Sequence, residues 1–272
     1  MTKNSRDEIR EAYKAEQQKS EKKVKAITYS IVSLVALVLI GLIVSLIVVG
    51  NNKNNTNAPI VNNAAQVVPV TPDENGAFVV KSDKTTENSK RVDVFFDPMC
   101  PGCGSVDRAI SKTLAEMVDS GEIELYLSPV SFLDEASSDN YSTRAVSAFV
   151  AVAEEDPRKA LDFMSSIFVK EFQPREGNAY KSVTNEALAN VALTVGASTS
   201  VVNSIKSGSA YSDWIAENST KQLARTDLFP DGFSTPSVFT NVSYNNGVAT
   251  GKKVVFVSGG ILESFIEAVR GS

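Results

Sequence analysis

The chain has 272 residues, 43% of them apolar, and a formal net charge of −5, enough for one or two globular domains. It holds two cysteines and no histidine, which removes Ser-His and Cys-His nucleophilic catalysis, most transition-metal chemistry and any framework of several disulfides. Residues 1–26 carry eight Lys/Arg against five Asp/Glu, so the rest of the chain is acidic at −8, which argues against a nucleic-acid surface.

In chain order, residues 1–26 read as a solvated cytoplasmic tail ending in Lys22, Lys23 and Lys25. Residues 27–49 carry no charge. As a helix they would span roughly 34 Å, enough to cross the hydrocarbon core of a bilayer. Lysines crowd the N-terminal side and only Lys53 follows closely, so the positive-inside rule puts the N-terminus in the cytoplasm and the large C-terminal part outside. A cleaved signal peptide would have an apolar core of about 7–15 residues with a small-residue cleavage site close behind it. Here the core is longer and Ala64-Ala65 lies well beyond it. The expectation is a retained single-pass transmembrane helix in the cell membrane. Residues 50–75, rich in Asn, Val and Pro, follow as a flexible linker reaching about 25–30 Å.

Residues 76–272 read as an α/β domain. AFVVK at 77–81 is a first strand. Val92, Val94, Phe95 and Phe96 give a β-branched and aromatic run of strand length, ended by Asp97-Pro98. From Gly104 the pattern turns helical, with Val106, Ala109, Ile110, Leu114 and Met117 at three- and four-residue steps. Ile123, Leu125 and Leu127 then alternate with polar residues as a strand does, so this stretch predicts a parallel βαβ unit. Between about 133 and 225 strand signals vanish. Five helical stripes follow, on Ala145/Phe149/Val152, Leu161/Met164/Ile167/Phe168, Leu188/Val191/Ala192/Val195, Val201/Val202/Ile205 and Trp214/Ile215/Leu223, most simply the buried faces of a helical subdomain. A strand at Ser237-Val238-Phe239-Thr240, a turn at Tyr244-Asn245-Asn246-Gly247, a strand at 253–257 and a last helix at 261–269 complete a sheet covered on both faces.

The chemistry centres on Cys100-Pro101-Gly102-Cys103, between strand and helix. Pro101 suits the first helical turn. That turn offers unpaired N–H groups and the positive end of the helix dipole. A thiol there is stabilised as thiolate, the attacking species in disulfide exchange. Cys100 is expected to be the more exposed sulfur and Cys103 the buried one that resolves a mixed disulfide. A purely structural disulfide is the plainer alternative. A zinc site would need about four ligands, and the chain has no other cysteine and no histidine. Further on, Phe233-Ser234-Thr235-Pro236 puts a proline at the entry to a strand, a place where a cis peptide occurs. An ordinary trans proline is the default for such a bond.

With these residues in hand, 76–272 resembles the thioredoxin superfamily, and within it the DsbA-like extracytoplasmic thiol-disulfide oxidoreductases. The resemblance rests on FFDPMCPGC, the helix after it, Thr235-Pro236 before SVFT, and the terminal hairpin and helix. It implies a thioredoxin-like fold with a helical insertion. It implies that Pro236 is cis and lies against Cys100 and Cys103, and that the Thr235 backbone pairs with a substrate chain in strand fashion. Pro236 lies 136 positions after Cys100, far more than a small thioredoxin needs, which matches the helical stretch. Two departures stand out. DsbA-like enzymes often have histidine where this chain has Gly102, which implies a smaller depression of the Cys100 pKa and a weaker oxidant. Many members also have an acid six residues before the first cysteine, where Val94 stands here. Asp93 and Asp97 flank it, and alternation points Asp93 away, so no buried proton acceptor for Cys103 is evident.

The resemblance implies an extracytoplasmic enzyme that forms disulfides in cysteine-containing secreted or surface proteins and needs no cofactor and no metal. A membrane partner or a small oxidant would reoxidise its Cys100/Cys103 pair. A reductase or isomerase of the same fold, and a tethered binding module with idle cysteines, are the alternatives.

Overall fold

The computed structural model describes residues 67–271. The expected cytoplasmic tail, the expected membrane span at 27–49 and most of the expected linker lie outside the described residues. Among those described, no helix is long and apolar enough to cross a membrane.

The end of the expected linker is fastened to the domain. Glu154 accepts hydrogen bonds from the Val70 and Thr71 N–H groups, at 2.9 and 2.8 Å. The Asp73 carboxylate accepts from Asn75 N and Ala77 N, and Gln222 donates to the Asn75 carbonyl. With their polar groups bonded in this way, these residues lead directly into the first strand.

Five strands form one sheet: β1 (Phe78–Val80), β2 (Lys90–Phe96), β3 (Ile123–Pro129), β4 (Ser237–Asn245) and β5 (Val248–Lys253), in the order β1-β3-β2-β4-β5. β2 and β3 are parallel, joined through helix α1 (Pro101–Asp119). The other pairings are antiparallel. Between β3 and β4 come five helices: α2 (Tyr141–Glu155), α3 (Pro157–Ile167), α4 (Asn185–Thr194), α5 (Thr199–Ser207) and α6 (Ser212–Leu223). A last helix, α7 (Ile261–Arg270), closes the chain.

Alternation along β2 separates two cores. Val92, Val94 and Phe96 join the large core with α1, α7 and the inserted helices. Phe95 points the other way, into a smaller core of Leu228, Phe229, Phe239, Val242 and Ala249. Among the described residues, no helix contributes to that second core. Rings from the segment before β4 cover this face, with Phe229 edge-on to Phe95 at 5.1 Å and to Phe239 at 5.3 Å.

Three details depart from the sequence expectation. The second strand of the terminal hairpin is Val248–Lys253 rather than 253–257. Asn246 and Gly247 both take positive φ, 51° and 79°, which makes a tight two-residue turn that starts the return strand at once. The apolar run Val254 to Val257 therefore lies past the strand's end, with Val255 and Val257 exposed. Leu223, assigned to a buried stripe, is 41% exposed because it sits in the last turn of α6. Trp214 is half-buried and stacks edge-on to Phe78 at 6.0 Å, the packing role expected of it.

Candidate active site

β2 delivers the chain to Asp97 at the top of the sheet. The buried Asp97 carboxylate accepts from Met99 N at 2.9 Å, Leu133 N at 3.0 Å and the Ser142 hydroxyl at 2.6 Å. The Cys100 N–H donates back to the Asp97 carbonyl at 3.0 Å. One side chain thus folds the turn before the cysteines and ties it to α2 and to the loop after β3.

Cys100 is the N-cap of α1 and Pro101 its first residue. The Cys100 side chain makes no capping hydrogen bond, and its sulfur stands before the first-turn amides of Gly102 and Cys103. Both thiols are free. Cys103 is 2% exposed and Cys100 8%, so the expected order of burial holds, but Cys100 too is largely covered. The Cys103 thiol donates to Cys100, the Thr235 hydroxyl and the N–H groups of Cys103 and Gly102 assist, and the Cys100 pKa falls to about 6 against the cost of burial. Cys103 moves the other way. Burial pushes it well above the ordinary thiol range, and the neighbouring Cys100 adds to that.

The segment before β4 completes the site. The Thr235-Pro236 peptide is cis. Cys100 Sγ lies 3.5 Å from the Thr235 carbonyl oxygen, within reach of an S–H donor. The Thr235 hydroxyl is buried and makes no full hydrogen bond, yet it favours the ionised form of both sulfurs. Pro236 and Cys103 line one small apolar cavity. Gly102 faces Pro236 with little room to spare. A Cβ there would stand 3.0 Å from Pro236 Cδ and 3.6 Å from Cys100 Sγ. Thus Cys100, Pro101, Gly102, Cys103, Thr235 and Pro236 gather in one corner, with the Pro101 side chain turned to solvent.

The expectation that no buried acid stands near the thiols needs correction. Asp93 does face away, paired with Arg91 at 2.8 Å on the opposite side of the sheet. Asp97 is raised to about 7, first by burial, with the Cys100 charge adding to it. Asp107 lines the same cavity as Cys103. It accepts from the Ser165 hydroxyl at 3.2 Å and is also pushed up to about 7 by burial. Asp107 was legible in principle, since it falls four residues after Cys103 and so on the same helix face. Ser142, which bonds Asp97 from α2, gave no such signal.

Comparison with known proteins agrees with this geometry. Reduced DsbG, a disulfide bond oxidoreductase from Mycobacterium tuberculosis, superposes with a TM-score of 0.56 at 26% identity, over 72% of this chain and 88% of that one. Reduced DsbA from the same organism gives 0.55 at 25%, over 72% and 93%. MdbA, a thiol-disulfide oxidoreductase from Corynebacterium diphtheriae, shares the fold with a TM-score of 0.57 at 24%, over 78% and all of its length. Among curated proteins, the serine/threonine-protein kinase PknE of Mycobacterium tuberculosis is 37% identical over 155 residues, 56% of this chain and 26% of that protein. The match spans about a quarter of those curated relatives. A thioredoxin family model matches residues 85–248, more than half of the chain, and together with the DsbA-like and DsbG-like neighbours it shows that this chain belongs to the thioredoxin family.

Proposed function

We propose that the chain is a membrane-anchored, extracytoplasmic protein dithiol oxidase. The observation that carries this reading is the opposed tuning of two adjacent thiols, Cys100 lowered to about 6 and Cys103 raised well above the ordinary range, beside the Thr235-Pro236 segment. Stabilising the Cys100 thiolate favours the reduced pair over the disulfide, and that makes the disulfide the more oxidising partner. An idle pair would leave Cys100 at the ordinary thiol value near 8.5 or above it.

In the working direction the enzyme carries the Cys100–Cys103 disulfide. A substrate thiolate attacks Cys100 Sγ, that bond breaks, and Cys103 leaves with the electron pair and takes up a proton. A second substrate thiolate then attacks the substrate sulfur of the mixed disulfide. The substrate gains a disulfide, and Cys100 leaves as the stabilised thiolate. The Thr235 backbone would hold the client beside Cys100 as an added strand. Clients would be cysteine-containing secreted or surface proteins, since disulfides persist outside the cytosol. A membrane partner or small oxidant would restore the Cys100/Cys103 disulfide. The uncharged stretch at 27–49 would place the site outside, with the N-terminus in the cytoplasm.

The test is oxidative refolding of reduced, denatured ribonuclease by the full-length chain. Wild type should speed recovery and Cys100→Ser should abolish the gain. Equilibrium with a glutathione buffer fixes the direction of flow. A pair that stays oxidised in a strongly reducing mixture would assign the reductase reading instead.

A further inference from the structure

We propose that Gln173, contributed by the inserted helical region, is a positioning residue for Cys100, so that docking of the insertion sets the reactivity of the nucleophile. Gln173 lies just after α3, in a turn where its own N–H donates to the Val169 carbonyl at 2.9 Å. Its side-chain amide crosses to the cysteine loop. Nε2 donates to the Cys100 carbonyl at 2.9 Å and to the Pro98 carbonyl at 3.2 Å. These two bonds use both N–H donors of the amide. They hold the backbone immediately before Cys100 and at Cys100 itself.

The other end of the amide is held as well. Arg108 Nη1 donates to Gln173 Oε1 at 3.3 Å and also to the Phe168 carbonyl. Arg108 stands on α1, so the clamp is braced from the helix that Cys100 caps. Gly104 makes room for it. A Cβ at residue 104 would sit 2.0 Å from Gln173 Oε1 and 2.6 Å from Arg108 Nη1, inside any tolerable contact. The glycine right after the redox pair is therefore matched to a side chain about seventy positions away.

The consequence for reactivity follows from the N-cap. Cys100 has extended backbone, φ −63° and ψ 117°, and this aims Sγ at the N–H groups of Gly102 and Cys103. Its carbonyl accepts the first helical bond from Gly104 N at a long 3.3 Å, so helix formation alone holds this peptide loosely. Gln173 supplies the second donor. Without it the turn at 98–100 relaxes, Sγ drifts from the amide donors, and less of the thiol is ionised at neutral pH.

The proposal rests on Cys100 being the nucleophile and not on the direction of electron flow. The test is the pH dependence of Cys100 alkylation in the full-length chain, reduced and held in mild detergent. Cys103 stays protonated in this range and does not compete. Gln173→Met keeps the side chain's length and removes both donors. Its alkylation midpoint should rise by about half to one pH unit above that of wild type. Gly104→Ala expels the amide without altering Gln173 and should give the same rise. The double variant should add little further, as expected for one shared contact. A midpoint unmoved in a folded Gln173→Met chain overturns the proposal, even if thermal stability falls, because that is the mark of a merely structural bond. Should Gln173→Met fail to fold, Gly104→Ala decides in the same way. Ribonuclease oxidation by wild type is a separate readout, so failure of the oxidase reading leaves this result interpretable.

Discussion

The two sides of the sheet bury carboxylates under different rules. On the side away from the cysteines, Asp93 is 1% exposed and is gripped by Nε and Nη2 of Arg91, each at 2.8 Å. The Arg91 guanidinium in turn lies 3.5 Å over the Tyr126 ring. On the cysteine side, Asp97 and Asp107 are as well buried, but their hydrogen-bond partners are hydroxyl and backbone N–H groups. Burial raises all three acids, but at Asp93 the Arg91 hydrogen bonds and charge pull the other way, whereas Asp97 and Asp107 rise to about 7. A guanidinium turns a buried acid into a fastening. Without one, the acid is left poised to exchange a proton near neutral pH.

The largest expected effect breaks the fastened pair. Arg91→Ala should cost about 3–5 kcal/mol, because it strands Asp93 as a buried charge without its cation. Urea unfolding followed by the fluorescence of Trp214 measures it, and a loss under about 1 kcal/mol would show that the pair is not what holds that face.

The next effect concerns the poised acids. Their folded pKa values lie above the unfolded value near 3.8, so the folded state binds more protons than the unfolded state between about pH 4 and 7. Stability from these groups is therefore full at pH 4 and is lost as the pH rises through 7. Asp107→Asn should leave stability at pH 4 nearly unchanged and raise it at pH 8 by about 2–4 kcal/mol. A parallel drop in wild type and variant across that range would mean that Asp107 does not titrate as described.

The smallest effect probes the tight fit between Gly102 and Pro236 at the site itself. Gly102→Ala places a methyl group 3.0 Å from Pro236 Cδ, and the neighbouring segment must give by a few tenths of an ångström. We expect a loss of about 1 kcal/mol in stability and a measurable fall in the rate of ribonuclease oxidation. If the rate is untouched, the proline segment yields freely, and the contact does not order the site.

Local pattern alone revealed much of this protein. A β-branched and aromatic strand, a proline stop, two cysteines at a helix start, five apolar stripes and a proline before SVFT can each be read within a dozen residues, since backbone propensity and side-chain periodicity act over that distance. The Asn-Gly turn was local too, yet the strand after it was placed too late, because the valines at 254–257 read as more strand-like than VATGKK. Nothing in local pattern pairs Gln173 with the Cys100 carbonyl 73 positions away, or explains Gly104 as the gap that admits it. Local pattern also cannot tell that Asp93 is gripped by a guanidinium while Asp97 and Asp107 are held by hydroxyl and backbone N–H groups. Those outcomes depend on which surfaces exclude water and which side chains arrive from distant elements. Burial and long-range contact exist only once the chain has packed.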